Sequence, residues 1–290
     1  MDLSIIILSY NTVKLLEECL QSVFFGLQNS NLRFELIVVD NASTDDSVAM
    51  VDKQFKAVKL IESKKNMGYS KANNLAARRA KGKYLLFLNS DIVVLDSAID
   101  KLHRFIDQNV DASIAGGKLL NTGGKSAQPS CGPFYSLPVS FGVLFLRGDH
   151  WGLTRYSPDV VKKVDWVSGA CLMLEKDIFN KIGGFDESIF MYMDEIDILY
   201  RASKKGYRTY FYPDAKFIHH GAASSKSNRA PVINIFKGLV YFYRKHHKGA
   251  NLLVLQLMLL LKGLLGIIVG MLVRNRNMRI SYKQAMREAI

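Results

Sequence analysis

The sequence predicts an α/β protein with a mostly parallel, Rossmann-like sheet flanked by helices, followed by a helical C-terminal segment of different character. Three observations lead there. Short β-rich runs alternate with amphipathic runs from the first residue, the strand candidates are too apolar to leave one face in water, and polar clusters stand where those runs end. In open sheets of this kind ligands bind beyond the carboxyl ends of the strands.

Leu3 to Leu8 reads as the first strand, its start having neither the basic flank nor the length of a signal sequence. Leu15, Leu16, Cys19, Leu20, Val23, Phe24 and Leu27 then recur at helical spacing, with Asn11 and Thr12 as candidate caps. Phe34 to Val39 reads as a strand. Ser43 and Thr44 stand where they can cap a helix through Val48, Val51 and Phe55, and Val58 to Ile61 reads as another strand. A helix through Ala72, Leu75 and Ala76, a strand from Tyr84 to Leu88 and a helix through Ile99, Leu102 and Ile106 continue the alternation.

Gly116 to Pro138, rich in Gly, Ser and Pro, reads as a loop over the sheet. Val164 to Leu174 reads as a returning strand with an irregular Ser168-Gly169-Ala170 segment. Asp177 to Ile182 is a short helix ended by Gly183 and Gly184. Asp194 or Glu195 opens a helix that Gly206 stops, and Tyr207 to Tyr212 alternates like a strand.

Charge divides the chain unevenly. Residues 200–290 hold 17 Lys and Arg against two Asp and Glu, whereas residues 1–199 are close to balanced. From Leu252 to Val273 only Gln256 and Lys262 interrupt an apolar run, with Arg244, Lys245 and Lys248 before it and Arg274, Arg276 and Arg279 after it. The run is long enough to cross a bilayer. Lys262 near its middle and positive charge on both flanks argue equally for a helix lying in the membrane surface, with a buried soluble helix as third reading. Such a run also argues against a nucleic-acid-binding arm, so the expected partner is a membrane and not nucleic acid. Three cysteines, Cys19, Cys131 and Cys171, with no metal-ligand spacing suggest neither a disulfide framework nor a zinc site, and fit a reducing compartment.

Three strand ends carry candidate chemistry. Ser9-Tyr10-Asn11 follows the first strand and Asp40-Asn41 the second, where a carboxylate can accept from a base or ribose; the plainer reading is a capped turn. Asn89-Ser90-Asp91 follows the strand at Tyr84, and Asp91 offers a hard oxygen ligand for Mg²⁺ or Mn²⁺, or again only a turn residue. Asp194, Glu195 and Asp197 open a helix, a position that the helix dipole favours by itself and that a general base also uses; Asp197 can cap the helix or pair with Arg201. Adjacent His219 and His220 in a strand point to opposite faces, so one at most reaches a given site.

In order, SIIILSYN (4–11), VVDNASTDDS (38–47), NMGYSKANN (66–74), LLFLNSD (85–91), WVSGACLML (166–174), GGFDESIFMYMDEIDILYR (183–201) and HHGAASS (219–225) resemble the inverting family 2 glycosyltransferases of the GT-A fold, in the rhamnosyltransferase-like branch. The resemblance implies that Ser9, Tyr10 and Asn11 lie along the nucleotide and that Asp40 reads a pyrimidine base. It implies that Asn66 and Gly68 line the nucleotide pocket together with Asn89 and Ser90, and that Asp91 binds the divalent metal with His219. Trp166, Gly169 and Ala170 would border the sugar and acceptor, and Glu195, preceded by Asp194, would be the catalytic base. The acidic pair is reversed relative to the usual Glu-Asp, and Asn89 replaces the first Asp of the metal motif. A catalytic domain over 1–225, divided near 115 into nucleotide-sugar and acceptor halves, precedes a membrane-associating segment over 226–290.

The function implied is transfer of a sugar, rhamnose from dTDP-rhamnose first, from a nucleotide-diphosphate donor to a polyprenyl-linked or polysaccharide acceptor. The expected location is the cytoplasmic face of the cell membrane. The alternative is a non-catalytic sugar-nucleotide-binding or scaffold protein of the same fold.

Overall fold

The computed structural model describes all residues except 191 and 222–229. The last four positions of the motif at 219–225, and the boundary expected at 225/226, lie outside the described residues. In chain order the first elements are β1 (Leu3–Ser9), α1 (Val13–Leu27), β2 (Phe34–Asp40), α2 (Ser47–Gln54), β3 (Lys59–Glu62), α3 (Gly68–Arg79), β4 (Tyr84–Asn89), β5 (Ile92–Val94) and α4 (Ala98–Gln108). Then come β6 (Ile114–Leu120), β7 (Ala127–Gln128), β8 (Cys131–Gly132), α5 (Leu137–Phe145), β9 (Lys162–Val164), β10 (Trp166–Val167), β11 (Cys171–Glu175) and α6 (Lys176–Lys181). Last are α7 (Asp194–Lys204), β12 (Thr209–His219), α8 (Ala230–His246), α9 (Ala250–Leu272) and α10 (Arg276–Glu288).

Two compact units result. The first comprises residues 1–132, 156–190 and 194–224, and the second 133–155, 191–193 and 225–290. Residues 133–155, which the sequence assigns to the front domain, thus group with the C-terminal helices, because α5 is apolar on most of its surface and packs on α9.

The first unit is built on a sheet of order β3-β2-β1-β4-β11-β6-β12-β5. β1 pairs in parallel with β2 and β4, and β2 with β3; β11 runs antiparallel between β4 and β6, and β12 returns parallel to β6. Ile5, Ile6 and Ile7 are all fully buried, as strands covered on both faces require. One face, with Ile5, Ile7, Val38 and Leu86, packs with Leu16, Cys19, Leu20 and Val23 of α1. On the other, Phe87 meets Phe179 and Phe185 at ring-centroid distances of 5.3 and 5.0 Å. Each such side chain contributes about 1.5–3 kcal/mol by leaving water.

One expectation is corrected. Residues 116–120, the first part of the loop expected from Gly116, belong to the buried strand β6. Its glycines serve close packing instead of turning: a Cβ on Gly116 would lie 2.6 Å from the Val167 side chain, and one on Gly117 would collide with the Phe217 ring and lie 2.6 Å from the Ala215 carbonyl. The alternating run from Tyr207 to Tyr212 and the strand-like region before His219 form one strand, β12, whose ladder shifts register between Tyr212 and Lys216 and so accommodates Pro213 in a bulge.

In the second unit, α9 is long and apolar enough to cross a membrane. Its Gly263, Gly266 and Gly270 face Met286, Tyr282 and Arg279 of α10. Asn275 caps α10, its side-chain oxygen accepting from Met278 N at 3.0 Å.

Gly117→Val is expected to lower the stability of the first unit by about 1–3 kcal/mol, as overpacking does. Urea denaturation followed by circular dichroism checks it; an unchanged midpoint would show that Phe217 yields freely.

Candidate active site

Beyond β1 the chain turns through Ser9, Tyr10 and Asn11, the last with a left-handed φ of 54°. Asn11 ties this turn to the one after β2: its N–H donates to Ser43 Oγ (2.9 Å), and its Oδ1 accepts from Thr44 N (2.7 Å). Ser43 and Thr44 are therefore occupied with the β1 turn and do not cap α2. Asp45 serves both nearby helix starts instead, accepting from Val13 N at 3.0 Å and from Ser47 N at 3.1 Å. Burial pushes its carboxyl up, but these bonds outweigh it and hold the group below the ordinary carboxylate range.

Asp40 is 2% exposed at the end of β2. One carboxylate oxygen accepts from Ser43 N (2.9 Å); the other, Oδ2, is buried with no hydrogen-bond partner in the protein. An orphaned buried acceptor of this kind is destabilising unless a ligand donor meets it. Alongside, Asn41 donates to Asn66 Oδ1 (2.8 Å) and accepts from Met67 N (2.8 Å), and Asn66 Oδ1 also accepts from Gly68 N (2.9 Å). Gly68 has φ +78°, and a Cβ there would stand 2.7 Å from the Phe190 carbonyl. Only glycine meets both conditions.

At the end of β4, Ser90 Oγ accepts from Thr12 Oγ1 (2.9 Å), which lies 3.1 Å from Ser9 Oγ, so the first and third strand ends share one hydroxyl chain. Asp91 is 7% exposed, with Oδ1 3.4 Å from His219 Nε2. His219 Nδ1 is 2.6 Å from Gln128 Oε1 on β7. An amide oxygen only accepts, so Nδ1 donates to Gln128, and Nε2 is the ring nitrogen that faces Asn89 and Asp91. Burial raises the Asp91 carboxyl, but the His219 contact and backbone N–H groups more than offset it and keep the group below its usual value. His220 diverges, its Nε2 lying 3.6 Å from Glu18.

A carboxylate oxygen and an imidazole nitrogen held together fit a divalent cation. No third His, Cys, Asp or Glu joins them among the described residues. Diphosphate oxygens suit the remaining positions.

Asn89 N donates to Ala170 O (3.2 Å), bringing the Ser168–Ala170 turn to the same strand end. The Tyr69 hydroxyl donates to Gly169 O (2.8 Å), and a Cβ on Gly169 would lie 3.6 Å from Glu195 Cβ. Burial first, then the charges of Asp194 and Glu195, raise the Tyr69 phenol well above its ordinary value. Trp166, expected on the acceptor side, is 1% exposed on β10.

The three acids of α7 separate by environment. Asp197 is fully buried and paired with Arg201 (2.8 Å), whose guanidinium also donates to the carbonyls of Ile182 and Gly184. Asp194 is 5% exposed, whereas Glu195 is partly open. The sequence offers Thr12 only as a helix cap and does not point to Tyr69 or Gln128 by residue type. Tyr69 carried a signal in belonging to the NMGYSKANN segment, while Gln128 carried none. The surface groove lined by Lys101, Arg104, Phe105, Asp111 and Tyr212 contains none of these residues.

Residues 4–137 match the model of Glycosyl transferase family 2. An N-acetylglucosaminyl-diphospho-decaprenol L-rhamnosyltransferase of Mycobacterium tuberculosis is 26% identical over 269 residues, covering 85% of each chain. The low-salt glycan biosynthesis hexosyltransferase Agl10 of Haloferax volcanii is 31% identical over 209 residues, 70% of this chain and 62% of its own. Among solved structures, a mannosyltransferase of Pyrobaculum calidifontis in complex with GDP-Man and Mn²⁺ superposes with a TM-score of 0.59 at 17% identity, covering 99% of this chain and 85% of that one, a likeness of fold. The sheet is that of the GT-A fold. Motif order, topology and relatives agree that this chain carries a glycosyl transferase family 2 domain and is rhamnosyltransferase-like in sequence.

Proposed function

We propose that this glycosyltransferase is inverting and metal-dependent, and moves rhamnose from dTDP-rhamnose to a hydroxyl of a polyprenyl-diphosphate-linked glycan at the cytoplasmic face of the membrane. One observation carries the reading. The orphaned Asp40 oxygen and the Asp91–His219 pair stand at neighbouring strand ends, and Glu195 adjoins the Gly169 turn that meets the same strand end. The decaprenol-linked reaction named for the mycobacterial relative supports the acceptor class.

Asp40 Oδ2 accepts the ring N–H of a thymine or uracil, relieving its own desolvation. Ser9, Asn11, Asn66 and Gly68 keep the nucleotide pocket in shape through the bonds described above. Asp91 and His219 hold the divalent cation, which when bound neutralises the diphosphate leaving group. Glu195 takes the proton of the acceptor hydroxyl as that oxygen attacks the anomeric carbon from the side opposite the leaving group, so configuration inverts. Asp194, more enclosed, positions the start of α7. The basic, apolar C-terminal unit confines the enzyme to the layer where a lipid-linked acceptor is concentrated.

Glu195→Gln is expected to lower turnover by about 10²–10⁴-fold while leaving donor affinity within a few-fold. Nucleoside diphosphate release from a panel of dTDP- and UDP-sugars with a membrane lipid extract measures the first, and calorimetry the second. If Asp194→Asn is the more damaging change, the base has been assigned to the wrong acid; if a donor binds wild type and never turns over with any acceptor, a non-catalytic role gains.

Asp40→Asn keeps the shape but presents an N–H₂ or a weaker acceptor to the base. It is expected to weaken dTDP and UDP binding about 10- to 100-fold, the value of a hydrogen bond to a charged group, with GDP binding hardly changed. Equal weakening of all three nucleotides would remove Asp40 from base recognition.

A further inference from the structure

The packing of α9 bears on how the second unit meets a membrane. The helix is about 34 Å long at 1.5 Å per residue, enough to cross the hydrocarbon. Yet its glycine seam is closed by α10, and at its other end Gln256 Nε2 donates to Ala289 O (2.8 Å) just past the C-terminus of α10. Contacts at 256, 263, 266 and 270 with successively earlier residues of the partner make the pair antiparallel. α10 carries Arg276, Arg279, Lys283 and Arg287. If α9 crossed the bilayer with α10 attached, these charges would enter the hydrocarbon, at about 2.5–3.5 kcal/mol each near its centre. Detaching α10 would open the glycine seam and strip Gln256 of its acceptor.

Opposite that seam the helix is apolar and bare. Leu257, Leu261, Leu264, Leu265 and Ile268 are 39–59% exposed and fall on one stripe at helical spacing. A second exposed apolar element comes from the middle of the chain. α5 lies beside α9, with the Phe145 ring centroid 5.9 Å from Lys262 Nζ, and α8 anchors the segment before it through Tyr243 Oη donating to Tyr135 O (2.8 Å). The turn that follows α5 holds Trp151 at 69% and Leu153 at 64% exposure. It is braced by its own backbone: Gly148 N donates to Gly142 O (2.9 Å) and Leu153 N to Gly148 O (2.9 Å). A braced turn that keeps an indole in solvent has the character of a membrane-interface anchor.

We propose that the second unit docks on one leaflet of an anionic bilayer without crossing it. α9 lies in the surface plane with its leucine stripe toward the acyl chains, α10 rests on its water side, and the Trp151 turn is a second insertion point. The occupant is lipid because Arg244, Lys245 and Lys248 at one end of α9, and Arg274, Arg276 and Arg279 at the other, border the apolar stripe with charge that anionic head groups neutralise. The inference rests on the membrane reading above and adds the mode of attachment and a contact outside the C-terminal segment.

The test uses the full chain and vesicles of phosphatidylglycerol and phosphatidylcholine carrying brominated lipids. Only two tryptophans are present, and Trp166 is buried, so bromine quenching reports Trp151. Quenching is expected to be strongest for bromines near the head groups and to vanish in Trp151→Phe, while Leu261→Asp lowers partition onto the vesicles by about tenfold or more. An epitope inserted in the α9–α10 turn after Arg274 is expected on the same side as the catalytic domain in protease-treated inverted membranes. An epitope on the far side means that α9 spans, which overturns this inference and leaves the membrane reading standing. Quenching that survives in Trp151→Phe, or is absent from wild type on vesicles that bind it, removes the second insertion point. No binding to any vesicle overturns both, and self-association by the same face would then identify a second copy as the occupant.

Discussion

The parallel pairing of β1 between β2 and β4 is the constraint on which the rest depends. Its register sets Ser9 opposite Asp40 and Leu8 opposite Asn89, so three chain reversals begin at the same level of the sheet. A slip of one residue would turn every side chain of a strand to the other face. Because Ile5, Ile6 and Ile7 are buried on both faces, hydrophobic packing enforces the register, and the polar residues that follow have no alternative but to converge.

What converges is a network of short polar side chains that mostly satisfy one another. Asn11 with Ser43 and Thr44, Asn41 with Asn66, and Ser9 with Thr12 and Ser90 hydrogen-bond one another across neighbouring turns. Such a network holds shape without offering much to a ligand. One oxygen of Asp40 stands out because the network leaves it without a partner, and the facing pair of Asp91 and His219 lies at a neighbouring strand end. A buried acceptor left unpaired in an otherwise satisfied region is unusual, and the proposed nucleotide contact at Asp40 would supply the missing donor. The three cysteines are buried thiols, and burial raises Cys171 to about 12, which disfavours its thiolate near neutral pH.

The second unit obeys a different rule. Its helices join each other through glycines and aromatic side chains, and α9 leaves its largest apolar face outward. A soluble core would enclose Leu257, Leu261 and Leu264. Leaving them bare beside clustered Arg and Lys is consistent with a solvent that is itself apolar on one side and anionic at its surface. Drawing α5 from the middle of the chain into this unit couples a loop between strands to the C-terminal helices.

The amino-acid sequence alone was sufficient for whatever depends on local pattern. Alternating apolar runs specify β1, α1, β2 and β4 to within a residue or two, since burial on both faces and helical periodicity are written in neighbouring residues. Asp40, Asp91, His219 and Glu195 were recognisable because they stand directly at the ends of those runs or in motifs of fixed order. Other features needed the folded chain. Gly116 and Gly117 have the composition of a loop and became strand because Val167 and Phe217 come from elsewhere to fill the missing side chains. Ser43 and Thr44 look like caps and are claimed by Asn11, 32 or 33 residues earlier. Gln128 orients His219 across 91 residues of chain, and Asp194 and Glu195, adjacent and chemically alike, differ only in how far the surrounding structure encloses each. Local sequence encodes propensity and periodicity; tautomer, exposure and partner choice arise from contacts that exist only once distant segments meet.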